Sequence, residues 1–448
     1  MSRTVVMWFR RDLRLADLPA LRLAAGEGDV VPLFVVDPAF AAAGGARRAF
    51  LAAGLESLDD SMDGELVCRH GDPVDVVPAV AAEVGAVAVF VTRDYAPYGR
   101  RRDASVGEAL RERTVEFHGV GSNYAVDPGG VTKADGGPYA VFTPFARAWR
   151  AVGWRAPTSA LDVSWRGARS MPTDGVPATT VLPFAIREAS EPAAHDRWDR
   201  FARHVDRYDE QRDLAAVDGT SRMSAALRWG LVHPRQLLAD LGPDRGSQAF
   251  ANELAWREFY ADVLLREPRS AWHNLDRRMD AMPIDTDADA RRRFQRWATG
   301  TTGFPFVDAG LRQLLAAGWM HNRLRMVTAS FLVKDLHLPW QWGARHFLDH
   351  LVDGDLASNN HGWQWAAGTG TDAAPYFRIF NPTTQGERFD PEGDYVRRWI
   401  PELAGIPGRA VHSPGARRPD DYPSAMVDHA AERLEALDRY RHAAVSSR

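Results

Sequence analysis

Five short runs of β-branched and aromatic residues leave the first third of this chain few folds to choose from: TVVMWF (4–9), VVPLFVV (30–36), ELVCR (65–69), VAVFVT (87–92) and VEFHGV (115–120). Each has the length of a buried strand. Between them ALRLAAGEG, RAFLAAGLESLDDSM, PVDVVPAVAAEVG and RRRDASVGEALRER carry apolar residues at helical spacing. Strands alternating with helices build an α/β fold around a doubly wound, Rossmann-like parallel sheet, whose ligands sit at the carboxyl ends of the strands. The usual phosphate signatures are missing. No G-x-G-x-x-G follows the first strand, no G-x-x-x-x-G-K-[ST] occurs, and the first turn reads FRRDLRLAD. Ordinary dinucleotide or triphosphate binding by this sheet is not expected.

The chain then changes character. From about Val131 to Pro192 the periodicity fades into Pro, Ser, Thr and Gly, which reads as a long connection. Beyond Trp198 the pattern is helical, and ten of the fifteen tryptophans lie from Trp229 onward. The expected division is an α/β domain over 1–130, a linker over 131–197 and an all-α domain over 198–448. A net charge of −4 argues against a wholly basic nucleic-acid binder but permits a local basic groove. One cysteine, Cys68, excludes an intrachain disulfide and fits a reducing compartment. No apolar run approaches the ~20 residues of a membrane span, and the N-terminus lacks a signal-peptide pattern. A cytoplasmic protein is expected.

Three segments of the helical region put chemistry where a core would put leucine. NELAWREFY places Glu253, Trp256, Arg257 and Tyr260 on one helix face. That face suits the wall of a cavity for a planar polar ligand; it suits equally a Trp anchor beside a Glu–Arg pair. GWMHNRLRM places Trp319, Asn322, Arg323 and Met326 together with Arg325 beside them, which suits phosphate or an anionic ring, or else a solvated basic edge. GTSRMS (219–224) offers hydroxyls and N–H groups at a helix start, as a phosphate cradle or as an ordinary cap. His346 and His350 have i, i+4 spacing, but the general base of an H-E-x-x-H site is absent, and no metal is expected. Asp353 and Asp355 just beyond them suit pairing with Arg or hydrogen bonding to a ligand.

Together with TGFPFVDAG and DGDLASNNHGWQWAAGTGTDAAPYFRIFNPTTQGERFDPEGDYVRRW, these blocks resemble the photolyase/cryptochrome family, and VMWFRRDLRLAD resembles its opening strand and turn. The resemblance runs from residue 5 to about 430 and is strongest to bacterial enzymes that repair cyclobutane pyrimidine dimers. It implies a helical domain that binds FAD, and UV-damaged DNA as partner of a monomer. By matching position it implies that Tyr208, Thr220, Ser221, Arg222, Met223, Ser224, Arg257, Asn322, Arg325, Asp353, Asp355 and Asn359 hold FAD. Glu253, Trp256, Met326, Asn359 and Trp365 would act on the lesion. Arg212, Tyr260, Asn322 and Arg323 would join Glu253, Trp256 and Trp365 in gripping DNA. Trp363 and Trp340 match the first two tryptophans of the family's electron-transfer chain.

The resemblance also has a gap. The third tryptophan of that chain should fall in PIDTDADA (283–290), which holds no Trp or Tyr; either the chain exits through another ring, with Trp272 and Trp319 as candidates, or photoreduction is slow and depends on a chemical reductant. DYAPYGRRRD (94–103) looks more like relatives carrying an 8-hydroxy-5-deazaflavin antenna than those carrying a folate. Rival readings are a cryptochrome photoreceptor, which in plants tends to carry Asp where Asn359 stands, and a single-strand-preferring relative. A (6–4) photoproduct enzyme would carry histidine where Met326 stands. Apart from the resemblance, an α/β nucleotide ligase with a helical appendage remains, disfavoured by the missing phosphate loops.

Overall fold

The computed structural model describes residues 3–186, 189–372 and 378–446. Its contacts group into two compact units. One comprises Met1–Leu182, Ile186–Asp206 and Ser221–Pro268; the other comprises Pro183–Ala185, Arg207–Thr220 and Arg269–Arg448.

The first unit is built on five parallel strands: β1 (Thr4–Phe9), β2 (Asp29–Val36), β3 (Val67–His70), β4 (Ala88–Val91) and β5 (Glu116–Gly119), in the order β3-β2-β1-β4-β5. Every residue of β1 is buried, as a central strand covered on both faces must be. It pairs Val5 with Val30 on one side and with Ala88 on the other. The chain leaves β1 in one direction for β2 and β3 and returns for β4 and β5, so the switch point lies between β1 and β4. Helices α1 (Pro19–Glu27), α2 (Gly45–Asp60), α3 (Pro73–Val84) and α4 (Pro97–Arg111) make the crossovers. Helix α3 shows local chemistry choosing its ends. Asp72 accepts from the Val74 N–H at the start, and Gly85 closes it in the left-handed region at φ 62°.

The stretch expected as a connection carries more structure than its composition suggests. Helix α5 (Phe142–Val152) buries Phe145, Ala146 and Trp149. Its aromatics at 142, 145 and 149 are helically spaced, a signal drowned by flanking Pro and Gly. Farther on, residues 164–174 strap the sheet: Arg166 donates its N–H to the Val30 carbonyl and Asp174 donates to that of Cys68.

Two buried carboxylates, Glu258 and Asp262, tie the post-sheet segment to the long Arg245–Arg266 helix, Asp262 by accepting from Gly129 N at 2.7 Å. Glu258 Oε1 accepts from Ala125 N at 2.5 Å, and Oε2 accepts from Val126 N at 3.1 Å and Trp149 Nε1 at 2.5 Å. Burial pushes the carboxyl up to about 7, and the three donors pull the other way. Glu258→Gln sets an N–H against one of these donors. Thermal or denaturant unfolding should show a loss of about 1–3 kcal/mol; unchanged stability would deny Glu258 this role.

Among the described residues every regular element after β5 is helical. The core of the second unit gathers Trp297, Phe306, Leu311, Leu324, Val327, Phe331, Trp340, Phe347 and Trp363. No helix is long and apolar enough to cross a membrane among the described residues.

Candidate functional site

In the first unit the Arg245–Arg266 helix begins where Asp244 accepts from the Ser247 N–H at 2.8 Å. It turns Leu254, Ala255, Glu258 and Phe259 into the core and leaves Glu253, Trp256, Arg257 and Tyr260 half-buried. The polar and aromatic face read from the sequence is therefore the one this helix presents. Arg257 is held rather than loose. Its guanidinium donates to the Asn123 carbonyl at 2.8 Å and the Leu227 carbonyl at 3.1 Å, and lies 4.4 Å over the Tyr124 ring. Trp256 stacks on Phe142 with centroids 3.7 Å apart and planes within 7°, which covers one indole face. Tyr260 packs against Trp256 at 5.3 Å.

The loop before the Ser224–Trp229 helix runs through Arg222 at φ 53°, a left-handed conformation that costs a non-glycine residue. Ser221 is buried and accepts from the Met223 N–H at 3.2 Å. Its N-cap residue Met223 makes no side-chain capping bond, and hydroxyls and backbone donors lie together at the helix start.

In the second unit the Asn322–Ser330 helix starts from His321, whose Nδ1 accepts from Arg323 N at 3.2 Å. Arg325 grips Asp353 with both terminal nitrogens, at 3.2 and 2.7 Å, while its Nε donates to the Met320 carbonyl. The Asp353 side chain is 1% exposed and that of Arg325 25%, so the fork is anchored on one side and open on the other. Asp355 caps the Leu356–Ala367 helix by accepting from Ser358 N at 3.0 Å.

On that helix Asn359 Nδ2 donates to the Ala344 carbonyl at 3.0 Å and to Asn360 Oδ1 at 2.8 Å. With both donors engaged, the amide presents its oxygen, an acceptor, to any ligand. Trp363 is 2% exposed, and its Nε1 meets no hydrogen-bond acceptor among the described residues. Trp365 is half-buried and lies 6.5 Å from Phe380. Trp340 donates its indole N–H to Asn274 at 2.9 Å. Residues 373–377 of the motif lie outside the described residues.

The remaining expected residues take varied positions. Tyr208 and Thr220 are half-buried, and Arg212 lies 5.9 Å over the Tyr208 ring. Asn322 is exposed, with Nδ2 3.9 Å from Met326 Sδ. Arg323 pairs with Asp213 at 2.7 Å and stacks 4.2 Å over Phe389. In the RRRFQR run (291–296), Arg292 and Arg293 pair with Asp289, and Arg293 also with Asp285. The His346 and His350 rings pack 4.3 Å apart, and burial with the His350 charge holds His346 neutral, pushed down to about 3.

Sequence reasoning passed over three neighbours of Asn359. Asn360 donates to the Ala271 carbonyl, His361 meets Ser270 Oγ at 3.0 Å, and Gln364 bonds both Ser270 O and Leu275 N. They pin the 270–275 segment to the helix. Their i, i+1, i+4 spacing was the only available signal.

An α/β sheet unit is followed by helices that present an arginine–aspartate fork, an amide with both donors engaged and clustered indoles, a set whose chemistry suits a flat, polar ligand. Residues 5–162 match the DNA photolyase family, and residues 250–442 match the FAD binding domain of DNA photolyase. The chain is 40% identical over 476 residues to the deoxyribodipyrimidine photo-lyase of Salmonella typhimurium, covering 98% of this chain and 99% of the relative. It is 40% identical over 463 residues to that of Streptomyces griseus, covering 98% and 100%. Its fold is similar to a bacterial class III photolyase from Agrobacterium tumefaciens, at a TM-score of 0.87 and 34% identity, covering 99% and 98% of the two chains. It is also similar to an archaeal photolyase from Sulfolobus tokodaii with two FAD molecules, at 0.88 and 29%, covering 98% and 99%. The chain belongs to the photolyase/cryptochrome family.

Proposed function

We propose that this protein repairs cyclobutane pyrimidine dimers in UV-damaged DNA in a light-dependent reaction, as a deoxyribodipyrimidine photo-lyase. The carrying observation is the 40% identity across 98% of the chain to a relative of that name. FAD, when bound and reduced, supplies the absorption of blue light and the electron that opens the cyclobutane ring.

The residues fit that cofactor. Arg325 offers a fixed positive charge that favours negative charge on a bound flavin, and Asp353 keeps it aimed. Asn359 offers an acceptor that would suit a ring N–H donor, and the buried Trp363 Nε1 is an orphaned polar atom on the same helix. Thr220, Ser221 and Ser224, with uncapped backbone donors, suit its phosphates. Tyr208, Arg222, Met223, Arg257, Asn322 and Asp355 complete the proposed cofactor set.

The lesion would be flipped out at a cost of a few kcal/mol, less at a damaged base pair. Stacking on Trp256 and Trp365 offsets about 1–3 kcal/mol per base. Because Phe142 covers one face of Trp256, only its other face is open to a base. Glu253, Asn322 and Met326 would hold the polar edge, and Arg212, Tyr260 and Arg323 the flanking strand. For Arg323 this requires a charge shared with Asp213.

A second chromophore, 8-hydroxy-5-deazaflavin, is proposed for the crevice at the carboxyl ends of β1 and β4. There Arg10 and Arg102 lie 4.8 and 5.0 Å over Trp8, and Tyr98 donates to Asp37 at 2.5 Å. Burial raises the Asp94 carboxyl and the guanidiniums of Arg11, Arg10 and Arg102 outweigh it, holding the group down at about 2.

The test is direct. Purified protein, loaded and reduced, is mixed in the dark with an oligonucleotide carrying a thymine dimer and then exposed to blue light. Loss of the dimer only on illumination is expected; survival of the dimer in the bound complex overturns the assignment. An antenna absorption maximum near that of folate overturns the deazaflavin.

A further inference from the structure

We propose that Trp342 is the solvent end of a hole-transfer path that leaves Trp363 through Trp297 and Phe294. The inference rests on the flavin reading above and deepens it. It explains how the chain works without an aromatic residue in 283–290.

The path is a run of ring contacts. Trp363 meets Trp297 with centroids 5.9 Å apart and planes at 71°. Trp297, fully buried, stacks on Phe294 at 5.7 Å and 25°. Phe294 meets Trp342 edge-on at 5.5 Å. Trp342 is half-buried, and the exposed Arg291 lies 5.7 Å from its ring. Gly343 permits the first contact, because a Cβ there would strike the Trp363 ring at 2.1 Å. Trp340 and Trp272 lack such continuity among the described residues. Trp340 makes no ring contact with Trp363 or any other aromatic among the described residues. Trp272 is covered by Arg345 at 4.8 Å, and Trp319 meets the ring of His321.

A bound, oxidised flavin would supply the light-driven acceptor for one electron from the Trp363 indole, and the hole left on Trp363 would then move to Trp297. The Trp297 N–H donates at 3.1 Å to the Thr328 carbonyl, which is no base, so the hole keeps its proton and stays mobile. The adjoining His346 is neutral and does not repel it. Phenylalanine is too hard to oxidise to hold the hole, so Phe294 serves as a tunnelling bridge to Trp342. There the indole proton leaves to water, assisted by the Arg291 charge, and a neutral radical remains. A thiol in solution then gives this radical a hydrogen atom, restoring Trp342, and two thiyl radicals join as a disulfide.

The experiment compares wild-type holoprotein with Trp342→Phe, Phe294→Leu and Trp340→Phe, each loaded with oxidised FAD and illuminated with excess thiol. Transient absorption and electron paramagnetic resonance follow the tryptophan radical, and flavin bleaching gives the photoreduction rate. Trp342→Phe and Phe294→Leu should each slow photoreduction at least about tenfold, remove the long-lived neutral radical and leave a short-lived protonated one. Trp340→Phe should have the smaller effect. Trp342→Phe, at a half-buried site, should retain flavin and repair dimers at the wild-type rate when chemically pre-reduced. A wild-type photoreduction rate and unchanged neutral radical in Trp342→Phe, or a block seen only in Trp340→Phe, overturns the path while leaving the repair reading intact. Failure of pre-reduced wild-type protein to repair dimers overturns the repair reading instead, because the radical measurements need no DNA.

Discussion

Asp353→Ala should yield a folded protein that loses its flavin on gel filtration. The Asp353 carboxylate is 1% exposed in its side chain and accepts from both terminal nitrogens of Arg325. Removing one partner of such a pair leaves the other charge desolvated and unaimed, a loss of about 3–5 kcal/mol for a fully buried pair. Arg325 retains 25% side-chain exposure, so water recovers part of that, and about 2–3 kcal/mol is the expected effect. If that loss falls on cofactor binding, affinity drops by about 30–150-fold. Asp353→Asn keeps an acceptor but removes the countercharge and should fall between the two. Flavin absorbance per chain after gel filtration gives the result, with thermal unfolding of the apoprotein as control. Full flavin retention by Asp353→Ala would remove this ion pair from the cofactor site.

The same pair shows why the sequence was legible at some positions and silent at others. Arg325 lies on the Asn322–Ser330 helix and Asp353 in the turn that follows His350, and no spacing rule joins them; their match to a family motif suggested them, and the fold places them in contact. Periodicity did better where neighbours in sequence are neighbours in space. The strands read at 4–9, 30–36, 65–69, 87–92 and 115–120 emerged at 4–9, 29–36, 67–70, 88–91 and 116–119; the inner strands β2, β1 and β4 must be apolar on both faces, and the edge strands β3 and β5 were read from their β-branched and aromatic residues. The half-buried face of Glu253, Trp256, Arg257 and Tyr260 was legible for the same reason, a helical repeat with the wrong chemistry for a core.

What stayed hidden depends on partners without periodicity. Asn360, His361 and Gln364 bond mainly to the irregular 270–275 segment, and Glu258 bonds to two backbone N–H groups just after the sheet. Arg323 looked like a free basic edge, and only folding shows it paired with Asp213 over Phe389. Trp342 was passed over beside Trp340, since its importance comes from Phe294 on another helix.

Glu253→Ala should lower the yield of dimer splitting per absorbed photon far more than it lowers binding to damaged DNA. Glu253 stands one helical turn before Trp256 and Arg257 on the half-buried face, so it can reach the polar edge of a base stacked on that indole. In the dark complex a hydrogen bond from this side chain to the base is worth about 0.5–1.5 kcal/mol net and roughly tenfold at most in affinity. Once the dimer carries an added electron, its carbonyl oxygens become much stronger acceptors. A proton held by Glu253 at that edge then stabilises a charge that exists only during the reaction. Loss of a donor aimed at developing negative charge costs about 10²–10³ in rate in comparable sites, against an electron return that competes with splitting. Glu253→Gln keeps a donor and should recover most of the yield, whereas Glu253→Ala should not. Binding is measured in the dark by titration with dimer-containing duplex, and yield by dimer loss under calibrated blue light on pre-reduced protein. Equal losses in the two measurements would make Glu253 a binding residue only, and a Gln variant as poor as Ala would mean that the carboxyl acts through its charge rather than its proton.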